Sequence, residues 1–487
     1  MTRGFVSSGG LFQGAAGLVA TPVVLALEVG VVLLATGLVF GVVFTGLPRD
    51  ELESVFWSQT LALGYDPQQP PLHNWLAQGA LALFGLGPGS FALIRVLGLG
   101  ATFLLVWLAA RAMARGATLP AGLAVLGLLC STLFGITAFL NLTHSLVLVA
   151  AFAFLLFVLT RFDTPEEGRI SPYLLLGIAL GGGTLAKYTF VIFAAALLLA
   201  AMTHPRLRER LLDFRVVLTL AVAGVIVLPH GLWVLAAERT ILDDVPGLVQ
   251  THAVSLAGRL WDLLRTGWLD PVAGVALPLL LLGLLVPGVR PGRLPRAGGE
   301  DEETCAHWRI LLLVYVGLAL ALVSIVTLIA GGGRLREHYL MPVALVLPVW
   351  AALRVAAARP GPRSLDRAAG ALMILGALVP LGTLGVAVFV RPLHCDRCLT
   401  DLPVAAWVEG IQAEGFTGGT LVAANLDAAA NLLGAFPGSR LVWPEAGTRS
   451  LAWGGDTPGG ERLPDRVGYP VFGPGLGPAA SLDNRAS

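Results

Sequence analysis

Charge is what this sequence has least of. Only 13% of its 487 residues are Asp, Glu, Lys or Arg, whereas a soluble domain carries about a quarter. Hydrophobic residues make up 56% of the chain and the mean hydropathy is +0.78. That balance excludes an ordinary soluble domain and implies a polytopic membrane protein. The net charge of +1 gives no argument for a nucleic-acid partner, and none is expected. Lysine is almost absent: Lys187 stands alone among 32 basic residues, the rest being arginine. Cysteine is scarce too, at four residues, and a single CxxC pair, Cys395 and Cys398, is present.

What is there in quantity is apolar sequence. A helix needs about 20 apolar residues to cross the hydrocarbon of a bilayer. About eleven spans are expected, near 23–47, 91–110, 119–139, 142–160, 173–186, 188–203, 214–236, 271–288, 310–330, 339–357 and 368–390. Arginines gather in alternate short loops: Arg111 and Arg115, Arg161 and Arg169, Arg206 to Arg215, Arg290 to Arg296, and Arg354 to Arg367. Cytoplasmic loops are the arginine-rich ones. The N-terminus is therefore expected inside, and residues 50–88, 237–270, 331–338 and everything after Arg391, the C-terminus included, outside. The first apolar run is too long for a cleavable leader and lacks a small-residue cleavage site, so it is expected to remain as a signal anchor. Counting residues 173–202 as one helix would place every later arginine loop outside. Two short helices with a turn near Lys187 preserve the pattern.

The expected organisation is a transmembrane domain over 1–390, with an outer loop at 48–90, and a small extracytoplasmic α/β domain over 391–487. In the outer loop, "ELESVFWSQTLAL" puts Leu52, Phe56 and Leu63 on one apolar stripe, as an interfacial helix would. A second such helix is expected from Asn74 to Phe84, with Trp75 at headgroup level. The intervening "GYDPQQPPL" cannot be helical, because its paired prolines restrict themselves and the residue before them. After Arg391, "PVAAWVEGIQAEG" reads as a helix with a glycine cap. "GTLVAANL", "DAAANLLGAF" and "RLVWPE" read as strand, helix and strand. From about residue 446 the chain is rich in Gly, Pro and Asp without periodicity and is expected to be irregular.

Few residues could carry chemistry, and they fall on the outer loops. Asp50 and Glu51 follow the first span directly. They could be a solvated helix start favoured by the dipole, or a general base for an acceptor hydroxyl or amine. Lys187, with Tyr188 beside it, sits in an otherwise apolar stretch, where a cation is costly and marks a functional site unless it reaches for the interface. A compact ammonium suits a phosphate oxygen. In "GGGRLREHYLMP", Arg334, Arg336 and His338 put positive charge on an outer loop, as a headgroup anchor or as a clamp for an anionic donor. His230 in "VLPHGLW", and Tyr65 and Gln69 in the proline turn, complete the candidate set. Cys395 and Cys398 lie where the compartment is oxidising, which favours a disulfide, with a redox dithiol or half a zinc site alongside His394 as alternatives. The "NLT" at Asn141 matches a glycosylation sequon between apolar runs and is read as chance.

Together "DELESVFWSQTLALGYDPQQPPLHNWL", "GIALGGGTLAKYTFVIF", "PHGLW" and "REHYLMPVALVLPVW" resemble the polytopic glycosyltransferases of the protein O-mannosyltransferase and lipid A aminoarabinose transferase superfamily. The likeness covers roughly residues 23–357. It implies an all-α GT-C fold, a polyprenyl-phosphate sugar donor, Asp50 as catalytic base with Glu51 as its neighbour, and Lys187 and Arg336 on the donor phosphate. Many aminoarabinose transferases read Glu-Lys-Pro-Pro-Leu where this chain has Gln68 and Gln69 before its prolines, which removes a cation. The chain looks closer to the branch that includes lipopolysaccharide-core galacturonosyltransferases. The acceptor would be lipid A, a lipopolysaccharide core, another glycan or a protein, reached by inverting displacement. No cofactor is required, and a divalent metal is left open. The competing class is a transporter or flippase of a lipid-linked sugar, although no internal repeat supports it.

Overall fold

The computed structural model describes residues 12–47, 49–66, 68–140, 144–164, 169–236, 255–286, 300–394, 400, 402–422, 426–436 and 438–442. The chain is an all-α bundle with a small α/β unit at its C-terminal side. Six described helices are long and apolar enough to cross a membrane: 22–43, 88–113, 216–236, 302–329, 337–358 and 362–393. Three further pairs, bent by 67°, 117° and 54°, satisfy the same test together, and 144–160 and 171–186 are shorter apolar helices. Each of the eleven expected spans thus has a helix or a bent pair at its place.

Proline starts several of these helices. Pro22, Pro88 and Pro362 each occupy the first helical position, where the missing N–H is no loss and φ is already suitable. The helix Met341–Ala358 is the axis of the bundle, with 78% of its apolar window buried, against 11% for Val216–Ala236. It packs on Thr118–Leu129, where every residue from Pro120 onward is buried. Val216–Ala236 lies against Ser171–Ala186, and the approach is close because Gly177 and Gly181 face it. A Cβ at those positions would come within 2.7 Å and 2.8 Å of Val222 and Ile226. At one end of the bundle, buried Asp163 accepts from Trp308 Nε1 at 2.9 Å and meets Arg206 and Arg115 at 3.5 and 3.8 Å.

The outer loop differs in detail from its expected form. The first helix runs Arg49–Trp57 and stops there, so Leu63 is not on its stripe and is 51% exposed. Leu52 and Phe56 are buried as expected. The second helix is Leu72–Phe84, and Trp75 in it donates its indole N–H to the carbonyl of Ala62 at 2.8 Å, bracing the loop. Between them, Asp66 accepts from the backbone N–H of Gln68 through its carboxylate and from that of Gln69 through its carbonyl, both at 3.0 Å. This Asx-type turn makes the proline segment compact. The span expected at 271–288 begins earlier, since the helix Leu256–Leu263 continues through a π turn to Gly274 and then bends into Ala276–Leu285. Leu256–Leu263 is amphipathic sequence that a search for apolar runs passes over.

The C-terminal unit has the expected helix, strand, helix and strand: Val404–Ala413, Thr420–Val422, Leu426–Leu433 and Arg440–Val442. Its two strands pair in parallel, Thr420 with Arg440 to Val422 with Val442. Cys395, Cys398 and the tail from 446 lie outside the described residues.

Candidate active site

The two adjacent acids have opposite surroundings. Asp50 is exposed in the first turn of Arg49–Trp57, whereas Glu51 on the same turn is 3% exposed. Glu51 Oε1 accepts from Arg95 at 2.7 Å. Arg95, itself buried in the helix Pro88–Met113, also reaches the carbonyl of Phe139 at 3.3 Å and lies 4.1 Å from the ring centre of Phe40. Burial raises the pKa of Glu51, and the Arg95 charge and hydrogen bond oppose that shift. Ser54, one helical turn beyond Asp50, stands 3.2 Å from its carbonyl and 3.2 Å from His73 Nδ1. The rings of His73 and His144 lie 4.2 Å apart, tilted by 40°, and burial pushes the His73 pKa down to about 4, so it is neutral at physiological pH.

Lys187 occupies the break between Ser171–Ala186 and Phe190–Ala201. Its ammonium donates to Ser145 Oγ at 2.9 Å and stands 4.5 Å from the ring centre of Tyr339. Burial lowers its pKa to about 8; Asp50 is close enough to raise it and Arg336 close enough to lower it further. A carboxylate and two cations from three separate segments therefore share one electrostatic neighbourhood. Arg334, Arg336 and His338 line a cavity of about 410 Å³ with Thr266, Asp270, Leu335 and Glu337.

The remaining candidates form the walls. Tyr188 Oη lies 2.8 Å from His230 Nε2, and His230 Nδ1 is 2.8 Å from the carbonyl of Leu63. If Nδ1 donates to that carbonyl, Nε2 accepts the tyrosine hydroxyl. Gly64 lets the loop settle on the same helix, since a Cβ there would come within 2.1 Å of Trp233. Burial and the charge of Asp66 push the Tyr188 pKa up to about 12. Tyr65 uses its hydroxyl on loop backbone, donating to Thr60 at 3.2 Å, and Gln69 belongs to the Asp66 turn. Both shape the loop instead of presenting a group to Lys187.

Sequence reasoning passed over Arg95, His73, His144, Ser145 and Tyr339. Arg95 had a signal: an arginine in an apolar run invites the same question as Lys187. His144 and Ser145 follow directly on the "NLT" tripeptide. Among the described residues, no group of three or more His, Cys, Asp or Glu side chains could hold a metal ion.

Residues 68–233, about a third of the chain, match the dolichyl-phosphate-mannose-protein mannosyltransferase family. Two lipopolysaccharide core galacturonosyltransferases of Rhizobium johnstonii, RgtB and RgtA, are 31% and 30% identical over 64% and 66% of this chain. The matches span 61% and 62% of those relatives' own length. ArnT from Cupriavidus metallidurans, in a crystal structure bound to undecaprenyl phosphate, matches 86% of this chain and 85% of its own, with a TM-score of 0.55 at 17% identity. The chain has the ArnT fold. Within that GT-C fold, the matched family segment takes in His73, Arg95, Lys187 and His230, but ends before Arg334 and begins after Asp50.

Proposed function

We propose that the protein is an integral-membrane glycosyltransferase that moves a sugar from a polyprenyl-phosphate donor to a lipid or glycan acceptor, on the extracytoplasmic face of a bacterial inner membrane. The observation that carries this reading is the convergence of Asp50, Lys187 and Arg336 from three distant segments. A nucleophile must be deprotonated and a phosphate must leave, and those steps need a carboxylate and cations respectively.

In this mechanism the Asp50 carboxylate takes the proton of the acceptor hydroxyl. The oxygen attacks the anomeric carbon as its bond to the phosphate oxygen breaks, so the configuration inverts. The departing polyprenyl phosphate gains charge that Lys187 and Arg336 stabilise. Glu51, turned into the bundle and paired with Arg95, positions the helix that carries Asp50. The relatives' names, with two arginines at the cavity, make galacturonate the sugar to test first and a lipopolysaccharide core or lipid A the first acceptors.

The test uses the full chain in nanodiscs with polyprenyl-phosphate sugars and lipid A or core acceptors. A new glycoside in wild type that is absent from Asp50→Asn supports the reading. Sugar crossing a vesicle membrane with no glycoside formed would make it a transporter instead.

A further inference from the structure

The cavity beside Lys187 is polar in an otherwise apolar protein. Of its seven lining residues, Leu335 alone is apolar. That lining is wrong for a prenyl chain. Its 410 Å³ falls among volumes that hold small molecules, well beyond what a phosphate group needs. Asp270 and Glu337 offer acceptors, and His338 and the two arginines offer donors, a mixture suited to sugar hydroxyls.

The local backbone explains why two arginines are present. Arg336 is extended, with φ −78° and ψ 134°, and the N–H of Leu335 is held by Thr266 Oγ1 at 3.0 Å. Along extended chain alternate residues share a face. Leu335 packs against the main core at one edge of the cavity, and Arg334 and Arg336 on either side of it line the cavity as well. Arg336 shares the field of Lys187 and Asp50; a single monophosphate is matched by that pair of cations. Arg334 is a further cation in the same cavity, with a planar fork that fits a carboxylate in two parallel hydrogen bonds.

We infer that this cavity is the sugar subsite and that Arg334 selects a uronic acid by pairing with its carboxylate. The inference rests on the polyprenyl-phosphate donor proposed above. It gives the two anions of such a donor separate partners: the phosphate at Lys187 and Arg336, and the carboxylate at Arg334.

Two donors separate the possibilities, polyprenyl-phosphate galacturonate and its galactose counterpart, which has CH₂OH for the carboxylate. Wild type is expected to prefer the uronosyl donor in kcat/KM. Arg334→Gln is expected to shrink that preference at least tenfold, and Arg334→Lys to restore part of it. An equal loss on both donors would reduce Arg334 to a structural residue and overturn the assignment, as would a wild type with no preference. Competition by polyprenyl phosphate alone tells the two readings apart. If it competes while preference is absent, only the cavity assignment falls; if it does not compete and neither donor is used, the transferase reading falls with it.

Discussion

Gln59 holds the backbone of Leu441 from both sides: its side-chain carbonyl accepts the Leu441 N–H at 2.7 Å and its amide donates to the Leu441 carbonyl at 3.1 Å. This is a strand-like pairing made by one side chain along the strand Arg440–Val442. At the other end of the acid helix, the Leu47 N–H donates to Asn431 Oδ1 at 3.0 Å. Leu52, Val55 and Phe56 share a buried cluster with Ala430 and Leu441. The segment that carries Asp50 is thus clamped before and after by the C-terminal α/β unit.

Replacing Gln59 by Leu removes both bonds and leaves two backbone groups of Leu441 without that partner. The expected cost is about 1–3 kcal/mol. Because the apolar contacts remain, the fold should persist while the acid helix loosens. Turnover is expected to fall with donor KM little changed, and thermal unfolding in detergent should show a modest drop. A lowered melting temperature with full kcat would show that the clamp serves stability alone.

The Glu51–Arg95 pair calls for a different experiment. Removing one partner of a buried ion pair strands the other charge, at roughly 3–5 kcal/mol. Glu51→Gln should therefore express poorly or unfold at lower temperature. Replacing both, as Glu51→Leu with Arg95→Met, should recover most of the stability, since apolar residues of similar size often match such a pair. Activity should stay low in the double variant if the pair also sets the orientation of Asp50. A double variant with wild-type turnover would leave the pair no part in positioning.

Much of this architecture was legible because membrane insertion writes itself into composition. Every expected span met a helix, and the short β-α-β motif after Arg391 followed from periodicity and "PGS". Partners were not legible. Nothing local distinguishes exposed Asp50 from buried Glu51; the difference comes from Arg95, 44 residues away. Residue type suggests an interfacial Trp75, but nothing in the local sequence names the partner of its indole N–H, the Ala62 carbonyl 13 residues away. The helix at Leu256–Leu263 escaped notice because amphipathic sequence is invisible to a search for unbroken apolar runs.

Asp50→Asn keeps the side chain's shape and removes its ability to take a proton. Turnover should fall by about 10² or more, with donor binding little changed. Single-turnover transfer and donor binding, measured separately, check this. Full activity in Asp50→Asn, with loss in Glu51→Gln at unchanged stability, would reverse the roles of the two acids.

Lys187 offers a prediction in which pH does the work of a mutation. Its pKa is lowered to about 8, chiefly by burial. The ammonium is therefore mostly charged at pH 7 and neutral in the free protein well above pH 8. A sugar phosphodiester keeps its single negative charge throughout this range, so the donor does not titrate. Donor affinity should hold up to about pH 8 and then weaken, approaching tenfold for each further pH unit until the bound-state pKa is reached, because binding must recover the lost proton. Lys187→Met should bind about 2–3 kcal/mol more weakly at pH 7, if the contact is a charge-assisted hydrogen bond, and should show no such decline. Lys187→Arg keeps its charge far above pH 10, so its affinity should also be flat; it should fall between the other two at pH 7, because a planar fork replaces a point charge. Binding isotherms for the three proteins from pH 6.5 to 9.5 decide the matter. A wild-type curve that stays flat across that interval, or a Lys187→Met curve that bends as the wild type does, would remove Lys187 from the phosphate site and leave the arginines of the 334–336 segment to hold it.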